Sequence, residues 1–246
     1  MGDLKHIVSF SGGKDSTAML ILMLENNWKV DHCIFFDTGW EFPEMYEHIK
    51  KVEAYTGIEI TFVYPNETFD YYFHVYRAKR GKHKDKIGLS WPDFNNRWCT
   101  RYKINAIKKH CNSLGKHIIY EGIALDELHR KKEGKIYPLV EFEYTEGMAL
   151  KYCYDIGFDW DGLYEIFNRV SCYRCPLKSI PELRMLHNHK PKLWDKMLKA
   201  DENTWRKFRS DYSLQQLTKR FETENLQISL FPYCFEKAKV SGQKNI

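Results

Sequence analysis

Nine residues constrain this chain more than any others. Ser9-Phe10-Ser11-Gly12-Gly13-Lys14-Asp15-Ser16-Thr17 joins a strand-like stretch, His6 to Phe10, to an apolar segment, Ser16 to Glu25, that reads as a buried helix. Two adjacent glycines let backbone N–H groups close around an anion with no side chain in the way. The helix N-terminus beyond adds its dipole and its unpaired N–H groups. Ser9, Ser11 and Ser16 supply hydroxyls, Lys14 a positive charge, and Gly12, Gly13 and Asp15 complete the loop. The Walker A spacing is absent, so this is a different phosphate loop. The competing reading is a tight strand-to-helix turn with an ordinary N-cap.

The rest of the first half repeats the same unit. His32 to Phe36 is a second strand, and Pro43 opens a helix whose Met45, Ile49 and Val52 share one face, with Gly57 as its C-cap. Ile58 to Tyr64 reads as a third strand, Tyr102 to Leu114 as a basic helix, and His117 to Tyr120 as a fourth strand. This repetition predicts an α/β fold with an open, mostly parallel sheet flanked by helices. Ligands of such sheets lie at the carboxyl ends of the strands. From about residue 146 the pattern becomes helical. The expected organisation is a nucleotide-binding α/β domain over 1–145 and a mostly helical C-terminal region over 146–246. Ser179 to Glu182 has the form of a capping box. Trp194 and Trp205 read as core residues of later helices, and Lys237 to Ile246 as a frayed tail.

Residues 65–96 interrupt the rhythm. Six of the ten residues from Arg77 to Lys86 are Lys or Arg, and Tyr71, Tyr72, Phe73 and Tyr76 precede them. The stretch suits either a substrate lid or a nucleic-acid contact. A net charge of +5 is compatible with an anionic substrate and demands none. The longest apolar run, Ala18 to Leu24, is far too short to span a bilayer. Met1-Gly2-Asp3 leads directly into a strand, so no leader is expected, and the expectation is a soluble, cytoplasmic protein without membrane contact. Seven cysteines in that setting argue for metal, cluster or catalytic use of some of them rather than for disulfides.

The string Ser11-Gly12-Gly13-Lys14-Asp15-Ser16 resembles the PP-loop of the ATP pyrophosphatase (adenine nucleotide α-hydrolase) superfamily. Phe36-Asp37-Thr38-Gly39-Trp40-Glu41-Phe42-Pro43-Glu44 is similar to the second signature of its phosphoadenosine phosphosulfate (PAPS) reductase branch. Gly122 to Glu127 with Arg130, and then Tyr137-Pro138-Leu139, resemble the segments that follow. The resemblance runs over roughly residues 5–180 in consistent order. It implies an adenine nucleotide α-hydrolase-like fold binding either ATP or an adenylyl sulfate (PAPS or APS). Lys14, Asp37 and Arg130 are the implied catalytic residues. Thr38, Gly39, Arg97 and Gly122 join the loop as implied nucleotide contacts. Asp37 is either a Mg²⁺ ligand or the residue that bonds the following turn. Arg97 and Arg130 suit a second anionic group, with Asp126 and Glu127 orienting Arg130.

Cys172-Tyr173-Arg174-Cys175-Pro176 is the second informative constellation, since a C-x-x-C pair can chelate a metal or anchor a cluster. Cluster-containing relatives carry a Cys-Cys pair where this chain has Trp98-Cys99. Cys99, Cys172 and Cys175 are therefore expected to converge near the nucleotide, holding a [4Fe–4S] cluster or Zn²⁺, with Cys234 or Cys153 as a fourth ligand. The alternative is a set of buried small hydrophobes, and for Cys33 and Cys111 that alternative leads. PAPS reductases attack sulfur with the cysteine of a C-terminal Glu-Cys-Gly, which does not follow Cys234 here. The leading expectation is therefore an enzyme that adenylates an acceptor in sulfur transfer or nucleic-acid modification. The alternatives are an authentic PAPS or APS reductase using thioredoxin, and a non-catalytic nucleotide-binding subunit serving a partner protein in a DNA- or tRNA-modifying or defence complex.

Overall fold

The structure, a computed structural model, describes residues 3–81 and 83–230. The chain forms two compact units, Met1–Cys175 and Pro176–Ile246.

The first unit contains a four-stranded parallel sheet in the order β3-β2-β1-β4, made of β1 (Lys5–Phe10), β2 (His32–Phe36), β3 (Ile60–Val63) and β4 (His117–Glu121). Ile7 and Val8 at its centre are fully buried, as a sheet covered on both faces requires. Helix α1 (Lys14–Glu25) is buried from Ala18 to Met23, because α6 (Glu146–Asp155) and the sheet both pack on it. Helix α2 (Pro43–Thr56) starts at the expected proline and ends at Gly57, whose φ of 69° gives the left-handed cap. Helix α3 (Phe69–His74) is capped by Thr68, and α4 (Trp98–Ser113) begins four residues earlier than its basic pattern suggests. Trp98 is buried there, and its indole N–H donates to Ser90 O at 2.9 Å. Short helices α5 (Pro138–Glu141) and α7 (Leu163–Ile166) flank α6.

The expected boundary at residue 145 moves to residue 175. Thr145 caps α6, which then lays Ala149 and Cys153 into the core against α1, so the segment belongs with the sheet. The aromatic stretch is also corrected. Tyr72 and Phe73 are core residues, and Tyr72 stacks on Tyr102 at 3.9 Å, so neither is available to a nucleic-acid base. The basic stretch that follows is closed by an antiparallel bridge between Arg77 and Ile87.

The second unit contains α8 (Ile180–His189), α9 (Pro191–Asp201) and α10 (Leu214–Leu230). The capping box at Ser179 and Glu182 is present, with both reciprocal bonds. Trp194 is buried with Leu186, Met197, Leu217 and Phe221, and its indole N–H donates to Thr218 Oγ1. Trp205 lies in the connection between α9 and α10, not in a helix, and is half-buried. Cys33 and Cys111 fill core positions, as expected. Cys234 and the Lys237 to Ile246 tail lie outside the described residues. No helix among the described residues is long and apolar enough to cross a membrane.

Candidate nucleotide site

The loop between β1 and α1 is stitched to itself. Ser16 Oγ accepts the Ser11 N–H at 3.1 Å and donates to Gly13 O at 3.0 Å, and Ser11 Oγ lies 3.1 Å from Ser16 Oγ. Gly12 has φ of 77°, and a Cβ there would stand 2.2 Å from Met45 Sδ, so both conformation and space call for glycine. Gly122, just past β4, passes so close to α1 that a Cβ would fall 2.9 Å from Ser16 N. Backbone stands against backbone here, and no side chain can move aside.

The carboxyl ends of β1 and β4 open onto a cavity of ≈ 750 Å³. The chain leaves β1 towards β2 and later crosses over to place β4 on the other side, so this is the switch point of the sheet, where such folds bind ligands. Of the sequence candidates, Ser9, Ser11, Ser16, Gly122 and Arg130 line it. Lys103 and Lys108 from α4 also line it, as does Lys135, and none of the three was singled out from the sequence. A signal for the helix pair existed. Thr100, Lys103, Ile107, Cys111 and their neighbours recur at helical spacing in a segment already read as basic. Arg130 pairs with Glu127, as the sequence suggested, and Lys135 pairs with Glu121. Lys103 and Lys108 have no carboxylate partner among the described residues.

Lys14 departs from its expected role. Its ammonium is buried, 3.1 Å from Glu146 and 3.3 Å from Asp15, and the residue lines neither this cavity nor its smaller neighbour. The first turn of α6 delivers Glu146 to that spot, so the lysine charge is balanced inside the protein. Burial raises the Asp15 pKa to about 6, with Lys14 opposing and Glu146 reinforcing the rise. Asp15 Oδ1 is buried with no hydrogen-bond partner. Arg97 is another departure. It is exposed, its guanidinium lies over the Phe94 ring at 5.4 Å, and it lines neither cavity, since it precedes the first residue of α4.

Asp37 takes the turn-bonding alternative. Its Oδ1 accepts from Gly39 N at 2.7 Å and from the Tyr46 hydroxyl at 2.8 Å. Thr38 Oγ1 donates to Glu41 at 2.7 Å and accepts the Trp40 N–H. Thr38 and Glu41 line the smaller cavity, of ≈ 200 Å³, at the end of β2. It shares Ser11, Thr100 and Lys103 with the larger one, and its other walls include Phe36, Phe69, Cys99 and Cys172.

The three cysteines do share a neighbourhood. A hydrogen bond with Cys175 and then burial push the Cys172 thiol well above its ordinary pKa. Burial, followed by the nearby Cys175, does the same to Cys99. Cys153 is elsewhere, behind the loop, where its Sγ donates to Lys14 O at 3.6 Å. Among the described residues no group of three or more His, Cys, Asp or Glu side chains is placed to hold a metal ion. As arranged, Cys99, Cys172 and Cys175 are not brought to the spacing of a three-cysteine metal site.

With this geometry, a family model for the phosphoadenosine phosphosulfate reductase domain matches residues 5–178. The chain belongs to that family. The match covers almost all of the sheet unit and ends three residues beyond its boundary. The chain is 27% identical over 228 residues to an uncharacterised protein of Methanocaldococcus jannaschii, covering 85% of this chain and 43% of that protein. It thus spans less than half the length of this relative. Among solved structures it is similar to a PAPS reductase from Candida auris in a phosphate complex, with a TM-score of 0.48, 18% identity, and 70% and 82% of the two chains covered. It is also similar to a predicted subunit of a tRNA methyltransferase from Methanocaldococcus jannaschii, with a TM-score of 0.36, 13% identity, and 77% and 89% covered.

Proposed function

We propose that this PAPS reductase-family chain binds an adenine nucleotide, ATP or an adenylyl sulfate, in the β1/β4 cavity. In this reading it adenylates an acceptor in sulfur transfer or nucleic-acid modification. The observation that carries it is the ≈ 750 Å³ cavity, with loop hydroxyls on one side and two lysines without carboxylate partners on a facing helix. A phosphate chain needs cations that are not already neutralised, and Lys103 and Lys108 meet that need where Lys14 does not. With ATP, an acceptor oxygen attacks the α-phosphorus and pyrophosphate leaves with the electron pair of the broken P–O bond; with an adenylyl sulfate the leaving group is sulfate. The smaller cavity adjoins at Ser11 and is the natural place for the acceptor.

Titration calorimetry with ATP and with APS tests the nucleotide part. Saturable binding that weakens strongly in a Lys103→Ala, Lys108→Ala double variant supports it, and unchanged affinity sinks it. Sulfite release from PAPS or APS with thioredoxin, at rates typical of enzymes, would put reduction ahead of adenylation.

A further inference from the structure

Charge is spread unevenly along this chain. Residues 77–116 hold twelve Lys or Arg against two acids, Asp85 and Asp93. The whole chain is only +5, so the remainder is net acidic. Segregation of this kind marks a surface that meets a polyanion. Arg77, Lys79, Arg80, Lys84, Arg101 and Lys109 are exposed and form no ion pair among the described residues. None of the six lines either cavity, so their charge is not committed to a nucleotide bound there.

The fold gathers this charge on one face. The basic loop is pinned at its base, where Gly88 N donates to Tyr76 O and Leu89 N to Tyr72 O, each at 2.8 Å. That base is packed on α4, with Tyr76 against Tyr72 at 5.5 Å and Tyr72 stacked on Tyr102 at 3.9 Å. The Arg101 guanidinium lies 5.9 Å from the Tyr102 ring. The loop and the first turns of α4 therefore share a surface.

The approach to α4 adds an independent feature. Phe94 is 75% exposed, the most of any large apolar side chain among the described residues, and the Arg97 guanidinium lies over its ring at 5.4 Å. Aromatic rings and guanidinium planes are the flat groups on which unpaired bases stack. The first turn of α4 carries no acid, so a phosphate nearby meets the positive end of the helix dipole unopposed. Thr100 and Lys103 of the same helix line both cavities, so this surface leads to the seam between them.

We propose that this face binds an unpaired nucleic-acid strand, with Arg77, Lys79, Arg80 and Lys84 neutralising its phosphates and Phe94 with Arg97 stacking a base. This rests on the nucleic-acid arm of the function proposed above and names the class of acceptor, a nucleotide in single-stranded or looped RNA or DNA. A duplex offers phosphates to the loop but no free base to Phe94.

Fluorescence anisotropy with the full chain tests this without ATP. The probes are labelled single-stranded DNA and RNA of one sequence and the DNA duplex of that sequence, with polyglutamate as a competitor. Salt-dependent binding of a single strand is expected, with the duplex weaker and polyglutamate a poor competitor. Binding of either strand supports the proposal, and the tighter one names the source. An Arg77→Ala, Lys79→Ala, Arg80→Ala, Lys84→Ala variant should lower the slope of log affinity against log salt by about 2 to 3, the amount for four phosphate contacts on a single strand. Phe94→Leu should weaken single strands about tenfold and leave that slope unchanged, because stacking releases no counterions. No binding of either strand at about 50 mM salt overturns the proposal. So does a duplex bound as tightly as the strand, equal competition by polyglutamate, or wild-type behaviour of either variant. Thermal unfolding is the folding control, and Phe94→Leu, at an exposed position, decides if the loop variant does not fold. Strand binding by a chain that binds no ATP leaves this inference standing and removes the adenylation reading. ATP binding without strand binding does the reverse.

Discussion

The carboxyl edge of the sheet has two sides, built from opposite chemistry. Over β1 and β4 the cavity is wide and bordered by a helix that presents Lys103 and Lys108. Over β2 it is small and walled by phenylalanines, thiols and Glu41. Ser11, Thr100 and Lys103 stand at the seam between them. A hydrogen bond with Cys175 and then burial raise the Cys172 pKa, and burial followed by Cys175 raises that of Cys99, so both thiols resist ionisation. One side thus presents lysines without carboxylate partners, while the other combines aromatic rings, thiols and Glu41 with Lys103 at its edge. The same comparison separates the loop's own charges. Lys14 and Asp15 carry opposite signs at the heart of the motif, yet they neutralise each other with Glu146 behind it.

The strongest way to break this arrangement is to separate its backbones. Gly122→Val places a side chain where a Cβ already stands 2.9 Å from Ser16 N. The expected loss is at least about 3 kcal/mol in urea denaturation, because backbone on both sides leaves nothing to yield. Gly39→Ala is the matched control. It has open space around it and only the left-handed φ of 70° to strain it, so about 1 kcal/mol is expected.

The buried charge behind the loop comes next. Burial holds the Asp15 pKa at about 6, above the ordinary carboxylate range, so its protonated form favours folding below about pH 4 and that contribution is lost as pH rises through 6. Asp15→Asn should accordingly stabilise the protein at pH 8 by roughly 2 to 3 kcal/mol, and by little at pH 4. A denaturation series over that window with no pH-dependent gain would show that Lys14 compensates the buried charge fully.

The contrast between the cavities is sharpened by Lys103→Ala and Lys108→Ala. Each should weaken ATP about tenfold at low salt, with a smaller difference at high salt where screening shortens the reach of exposed charges. Equal affinities at both salt concentrations would remove the cationic side of the comparison. The smallest effect belongs to the thiols. Cys172→Ser should leave ATP affinity unchanged, and alkylation of Cys99 and Cys172 near neutral pH should be slower than for a free thiol, because the thiolate is the reacting species. Fast labelling read by mass spectrometry would show that these cysteines ionise and are not simply packed.

Much of this was legible in the chain. Residues 6–10, 32–36 and 117–120 read as strands because β-branched and aromatic runs between turn residues permit little else. Gly57 and the Ser179 capping box were readable because caps are local chemistry. Gly122 was found by its resemblance to a motif, while its reason, the close passage of β4 over α1, belongs to the tertiary structure. The limit of α4 was missed because Trp98 enters the helix through burial and a bond to Ser90, which no propensity encodes. Tyr72 looked like a stacking surface, since aromatic residues read alike whether they face a base or a core.

The sequence by itself determined the family, the parallel sheet and the place of the loop at the end of its first strand, because these depend on periodicity and on glycines in fixed order. Only the tertiary structure decided which charges face the ligand. Lys14 stands inside the motif, yet Glu146, 132 residues away, claims its ammonium. Tyr164, 150 residues away and in no motif, takes its amide. Charge is a property of a residue, but its availability depends on what the fold brings within about 4 Å, where Coulomb energy and hydrogen bonding compete with water.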